Sequence, residues 1–328
     1  MMNPDAHLKE DLFEKPDMAA TRDGFGVGLA EAAKTDERIV ALCADLTEST
    51  RMEEFKKRFP ERFVEIGVAE QNLAALSSGM AAYGKIPFIT SYAAFSPGRN
   101  NEQIRTTISL NNVPVKVVGS HAGLQTGADG ATHQALEDIA LMRVQPNMVV
   151  ISPCDSEEAR KATIAAAVNG TPVYLRLMRE KTPIMTTTET PFEIGKANLV
   201  WKSDAPQAAL FATGSLLHNA LLAARQLEAE GVRVSVTNIH TIKPLDSEAI
   251  VREARVGAVV TVEEHQIAGG LGSAIAEALA QEYSVPIEFV GVRDQYGQSG
   301  TPAELIEHYG LGVSHIVAAA KKAIARKR

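Results

Sequence analysis

Cysteine is nearly absent from this chain. Cys43 and Cys154 are the only two in 328 residues, and each sits beside an apolar, strand-like run. Two thiols so placed argue against a disulfide framework or a cysteine-built metal site, and they fit a reducing compartment. Long hydrophobic runs are missing too. None approaches the ~18 residues that a membrane helix needs, and the first residues, MMNPDAHLKEDLFEKPD, hold no signal-peptide core. The expectation is a cytoplasmic protein with no membrane partner. Positive charge is scarce: 33 Lys and Arg against 40 Asp and Glu give a net charge of −7. Without a sustained basic field the chain cannot neutralise a nucleic-acid backbone, so nucleic acid is not expected as a partner, although a few arginines suffice for one small phosphorylated molecule. No GxxxxGK[ST] loop is present, which removes P-loop chemistry.

What remains is an ordinarily globular composition, 45% hydrophobic and 22% charged, in a chain long enough for two domains. Over residues 21–175 short Val/Ile-rich runs alternate with helical patterns. IVALCADL, FVEIG, PFITSY, VKVVGS, NMVVIS and PVYLR read as strands, while GFGVGLAEAAK, ALEDIALMRV and SEEARKATIAAAV read as helices. Strands apolar on both faces that alternate with helices predict a parallel sheet covered on both sides. The Thr/Pro-rich piece KTPIMTTTETPFEIGK reads as a linker. The alternation then restarts with AALFATG, LLHNALLAARQLEAEG, RVSVTNI, AVVTVEE, a helix from Gly270 and IEFVGV. The fold class expected is α/β, two doubly wound domains with mainly parallel sheets. The bounds expected are an N-terminal extension at 1–19, a first domain at 20–183, a linker at 184–196 and a second domain at 197–328.

In open α/β sheets ligands bind beyond the carboxyl ends of the strands. The segments that follow the strands place Ser49, Glu70, Tyr92, Phe95, His121, Asp129, His133 and Arg179 along one rim. Glu70, in EIGVAEQNLAALSSGMAAYG, opens a helix of small and apolar residues. An acid in a first turn suits the helix dipole, so position alone gives it an ordinary reason to be there, and the rim adds a functional one. The loop HAGLQTGADGATHQ is long, glycine-punctuated and rich in proton donors and acceptors. His-x7-Asp-x3-His without cysteine fits no common metal spacing. Hydrogen bonding to a polyhydroxylated substrate suits these residues better. GGLGSA at 269–274 is a glycine-rich helix start that reads as tight helix–strand packing before it reads as an anion site, and His265 reads as structural.

ADLTEST, GVAEQN, SYAAFS and TGADGATHQALEDIALMR, in this order, resemble the transketolase family of thiamine-diphosphate enzymes. The similarity covers roughly residues 20–309 and corresponds to the family's pyrimidine-binding domain followed by its C-terminal domain. The resemblance implies that Glu70 hydrogen-bonds the cofactor's aminopyrimidine ring and so helps the thiazolium carbon lose its proton. It implies that Tyr92 and Phe95 pack against that ring, with Tyr standing where the family often has Phe. Asp129 matches the residue that binds a substrate hydroxyl, and His133 matches a nearby active-site histidine. Arg22, Ser49, His121 and Arg179 match the sugar-phosphate pocket; Arg143 and Arg176 are left as structural or surface charges. Val68, Ala69 and Leu73 are expected to shield the Glu70 carboxylate from water.

The family's GDG motif, which holds the diphosphate and Mg2+, is missing. The resemblance therefore implies the C-terminal subunit of a split transketolase with no metal ligands of its own. An N-terminal subunit would anchor the diphosphate and magnesium in an α2β2 heterotetramer, and the substrates would be phosphorylated sugars, as in the pentose phosphate pathway. A deoxyxylulose-phosphate synthase-like enzyme, the beta subunit of a 2-oxo acid dehydrogenase and a non-catalytic assembly subunit are the other readings.

Overall fold

The computed structural model describes residues 1–327. In chain order its strands are β1 (Met18–Ala20), β2 (Ile39–Cys43), β3 (Phe63–Glu65), β4 (Ile86–Tyr92), β5 (Lys116–Ser120), β6 (Val149–Ile151), β7 (Val173–Arg176), β8 (Lys181–Pro183), β9 (Asn198–Trp201), β10 (Ala208–Ala212), β11 (Val234–Asn238), β12 (Thr241–Lys243), β13 (Val259–Gln266) and β14 (Ile287–Val292). They form a seven-stranded sheet in the order β12-β6-β7-β5-β4-β2-β3, a five-stranded sheet in the order β14-β13-β10-β11-β9, and the small pair β1-β8. Both large sheets are parallel apart from one edge strand each, β12 on β6 and β9 on β11. The α/β expectation with mainly parallel sheets in two domains is met.

The core follows from strand alternation. In β2, Val40 and Leu42 join Leu73, Ala74 and Ala81 of the helix Glu70–Ala82 on one side. Ile39, Ala41 and Cys43 face Phe25 and Leu29 of Thr21–Thr35, and Ala159, Ala162 and Ala166 of Ser156–Val168, on the other. The glycines of GFGVGLAEA serve this packing: a Cβ on Gly24 would lie 1.8 Å from the Ser156 carbonyl oxygen. Both cysteines are free and buried.

The sequence reading missed three connections between the two halves. The sheet of the first domain takes its edge strand, β12, from beyond residue 197. One apolar cluster runs across the seam, with Ile139, Met142 and Val150 in the same core as Phe211, Ile239 and Leu271. The N-terminal segment straps both halves, bridging from Met2 to Trp201 and from Leu8 to Thr186 before β1 pairs with β8. The positions 184–196 read as a linker hold no helix or multi-residue strand. No helix among the described residues is long and apolar enough to cross a membrane.

Lys116 is buried at the start of β5, and its ammonium donates to the carbonyl oxygens of Asn169 and Thr171, both at 2.7 Å. Burial pushes its pKa down from 10.5 to about 7. Between those values the unfolded chain binds a proton that the folded chain does not, so this group makes stability rise with pH. Lys116→Met removes that slope. In urea denaturation the wild type should gain on the order of 2 kcal/mol relative to Lys116→Met between about pH 7 and about pH 9. Parallel curves for the two proteins would show that the lysine stays charged in the fold.

Candidate functional site

The strand order of the first sheet reverses between β2 and β4, which opens a crevice beyond their carboxyl ends. Glu70 enters it as the first residue of Glu70–Ala82, after a turn at Gly67 with φ 75°. Its side chain is 2% exposed. Its carboxylate receives one long hydrogen bond among the described residues, 3.4 Å from Arg99 Nη1. Its backbone oxygen is held by Asn100 Nδ2 at 3.0 Å. A carboxylate offers about four acceptor positions, so Glu70 is buried with most of them unfilled. Leu73 is buried beside it, whereas Val68 is 68% exposed. The expected shield of Val68, Ala69 and Leu73 is therefore only partly built within this chain, because the 67–69 turn carries Val68 outward.

Arg99 links Glu70 to an aromatic cluster. Its guanidinium lies 5.6 Å from the centre of the Phe95 ring. Phe95 and Tyr92 stack with centroids 5.9 Å apart, and His133 meets both edge-on at 5.3 and 6.0 Å. Tyr92 also stacks on His121 at 3.8 Å. Arg99 carries no signal in the sequence, since SPGRNN reads as a turn and only folding brings it to Glu70.

Beyond His121 lies a basic pocket. Arg22 Nη1 donates to the Ser49 backbone oxygen at 2.7 Å and approaches His121 Nε2 at 3.3 Å, while Arg22 Nε is buried without a partner. Arg179 Nη1 donates to the Thr126 carbonyl at 2.8 Å and sits 3.7 Å from the Asp129 carboxylate. Arg51 is held by Asp23 at 2.7 Å. Burial first, then the arginines, pushes the His121 pKa down to about 3. The imidazole is therefore neutral at physiological pH. An arginine nitrogen only donates, so Nε2 is the acceptor and Nδ1–H faces Ser120 Oγ at 2.9 Å. All nine residues singled out in the sequence thus lie along one continuous surface of strand ends.

Arg176 is not a surface charge. It is buried, donating from Nε to Asp138 at 2.8 Å and from Nη2 to the Glu264 carbonyl at 2.8 Å, while Tyr174 hydroxyl donates to the same Asp138 oxygen at 2.7 Å. Arg143 pairs with Glu277 across the domain seam. At the GGLGSA helix start, Glu263 accepts from the backbone N–H of Leu271 at 2.7 Å and of Gly272 at 2.8 Å, so the chain fills that anion site with its own carboxylate. His265 is buried and accepts from the Ala140 N–H at 3.4 Å, which is the structural role expected of it.

Comparison with known proteins matches two family descriptions: transketolase, pyrimidine-binding domain, over residues 17–185, and transketolase, C-terminal domain, over residues 195–316. The chain is 40% identical to a 6-deoxy-6-sulfo-D-fructose transketolase subunit from Clostridium sp. (strain MSTE9), covering 93% of this chain and 95% of that protein. It is 36% identical to an apulose-4-phosphate transketolase subunit from Phocaeicola vulgatus, covering 90% of this chain and 94% of that protein. Against mouse transketolase it is 37% identical but spans only 49% of that protein. A solved split gene transketolase, described as an inactive beta4 tetramer, superposes with a TM-score of 0.88 at 44% identity, covering 94% of this chain and 99% of that one. This chain therefore belongs to the transketolase family, as the pyrimidine-binding and C-terminal domains of the C-terminal subunit of a split transketolase.

Proposed function

We propose that this chain, joined to a partner subunit, transfers a two-carbon ketol unit between phosphorylated sugars. The observation that carries this reading is Glu70: a buried carboxylate with unfilled acceptor positions, connected through Arg99 and a cluster of rings to an arginine-lined pocket on the same strand ends. A pyrimidine-binding domain implies thiamine diphosphate. The residues fit it, since the acidic group offers an acceptor to a ring N–H and the Tyr92 and Phe95 faces suit a flat heteroaromatic ring. When bound, the cofactor supplies the nucleophilic carbon and the electron sink that ketol transfer needs.

The chain's own residues bind, orient and move protons. Glu70 holds a proton shared with the pyrimidine, in surroundings where restricted water strengthens the bond. Asp129 and His133, on one loop, meet substrate hydroxyls and exchange protons with them. Arg22 and Arg179, with Ser49 and His121 beside them, hold the phosphate at the far end. Neutral His121 accepts from Arg22 and so aims its guanidinium, which grips phosphate in two-point fashion.

The GDG motif that anchors diphosphate and magnesium is missing from this chain. The partner is accordingly read as an N-terminal transketolase subunit with those ligands, in an α2β2 assembly whose active sites lie at the interface. Relatives covered end to end are named as transketolase subunits, which supports a divided enzyme. The exposed Val68 fits the same reading, because the wall it begins would be completed by the partner.

Three outcomes are expected. The purified chain alone shows no ketol transfer in a coupled assay and gains it on adding the partner; turnover without a partner would refute the divided enzyme. In the complex, Glu70→Gln leaves assembly intact and slows deuterium exchange at the cofactor's reactive carbon by about a hundredfold or more; near-normal exchange would remove Glu70 from its role. The ring resonances of His121 stay constant in NMR spectra as pH falls from about 8 to about 5, since its pKa lies near 3. A titration near the ordinary 6.5 would contradict the neutral imidazole.

A further inference from the structure

The second domain supplies none of the nine residues assigned above, yet it grips the loop that carries three of them, His121, Asp129 and His133. Glu264 sits near the end of β13 and is 3% exposed. One carboxylate oxygen accepts from the backbone N–H of Gln125 at 2.7 Å, and the other accepts from Gln125 Nε2 at 2.6 Å. The same Nε2 donates to Ser215 Oγ at 2.8 Å. The approach is close enough to require glycine at 123, where φ is 84° and a Cβ would lie 2.4 Å from Glu264 Oε1. Further along the loop, Gln134 Nε2 donates to Leu124 and Gly127 carbonyls within the loop and to the Gln298 carbonyl of the second domain at 3.0 Å. These two anchors bracket Asp129 and His133.

A carboxylate is a costly way to seal a domain seam, since well-packed apolar side chains do so without removing a charge from water. Burial raises the Glu264 pKa, and the nearby Arg176 and the Gln125 hydrogen bonds oppose that rise. What the carboxylate adds over an apolar contact is geometry: two N–H donors of one residue held at fixed positions. Distances along the loop then propagate from Gln125 to Thr126, whose carbonyl accepts from Arg179, and to Asp129 beside the same guanidinium.

We propose that Glu264 is a positioning residue: by clamping Gln125 it sets the 121–134 loop so that Asp129 and His133 face the substrate. The inference rests on the ketol-transfer reading and gives the second domain a part in catalysis. The test uses the complex with the partner subunit and compares wild type, Glu264→Gln and Glu264→Gln/Gln125→Glu. The single change places an amide donor against the Gln125 amide, while the pair restores one donor and one acceptor with the charge moved across. The measurements are amide hydrogen exchange over 121–134, KM and kcat for the phosphorylated ketose the complex turns over, and Kd for thiamine diphosphate.

Glu264→Gln should speed loop exchange and raise KM each by about tenfold, the effect of one charge-assisted hydrogen bond. Exchange in Glu70–Ala82, cofactor Kd and assembly should stay at wild-type values, and the paired change should return KM and exchange towards wild type. Gln125→Ala, which keeps Glu264 and one of the two bonds, gives the same readout with a smaller shift where Glu264→Gln disturbs folding. Unchanged loop exchange, an unchanged KM despite faster exchange, or a parallel loss of cofactor affinity would overturn the inference. A wild-type complex without ketol transfer is the separate failure of the functional reading; loop exchange in the variants would still decide whether Glu264 sets the loop.

Discussion

Parallel strands cannot return by a hairpin, so each crossover passes through a helix and the parallel strands all end on the same side. That constraint organises this molecule. Helices cover both faces of the first sheet, leaving the carboxyl edge as the one place where β2, β3, β4, β5 and β7 release polar side chains next to one another. Residues as far apart in sequence as Arg22 and Arg179 come together there because β1 pairs with β8 and the Met178 N–H donates to Thr21 Oγ1 at 2.6 Å. The reversal of strand order between β2 and β4 opens the crevice in which Glu70 is buried.

Charge burial has two uses here, and geometry separates them. Arg176 with Asp138 and Tyr174 forms an interior network on one Asp138 oxygen that ties the first sheet to the end of β13, while Asp138 Oδ1 has no partner among the described residues. Removing one member of such a pair costs about 3–5 kcal/mol because the other charge is left stranded. Glu70 and Arg22 are the opposite case. Among the described residues the Glu70 carboxylate has a single long hydrogen bond, and Arg22 Nε is buried with none. Native proteins rarely leave such groups unpaired, and those that remain merit a functional explanation. The Arg176–Asp138 pair is closed within the interior and holds the fold, whereas Glu70 and Arg22 lie along the rim where ligands are expected.

Much of this was legible in the sequence. Periodicity and turn residues located most strands, and the rule that ligands lie beyond strand ends was enough to gather Ser49, Glu70, Tyr92, Phe95, His121, Asp129, His133 and Arg179. Edge elements were missed because β12 is three residues long and follows a strand without an intervening helix. Arg99 was missed because it stands in a turn-like segment without periodicity. Glu263 and Glu264 were not anticipated because their partners lie on other elements, in Glu264's case 139 residues away, and Gln134 because its tie to the second domain is 164 residues away.

The layered α/β architecture and the chemical content of the rim are written in the order of residues, since strand and helix periods are local properties of the chain and motifs travel with them. Folding alone settles which charges find partners, that Val68 turns outward, that His121 is a neutral acceptor, and that the second domain holds the loop of the first. Those depend on burial and on distances between remote segments, and both arise only when the two domains share one core.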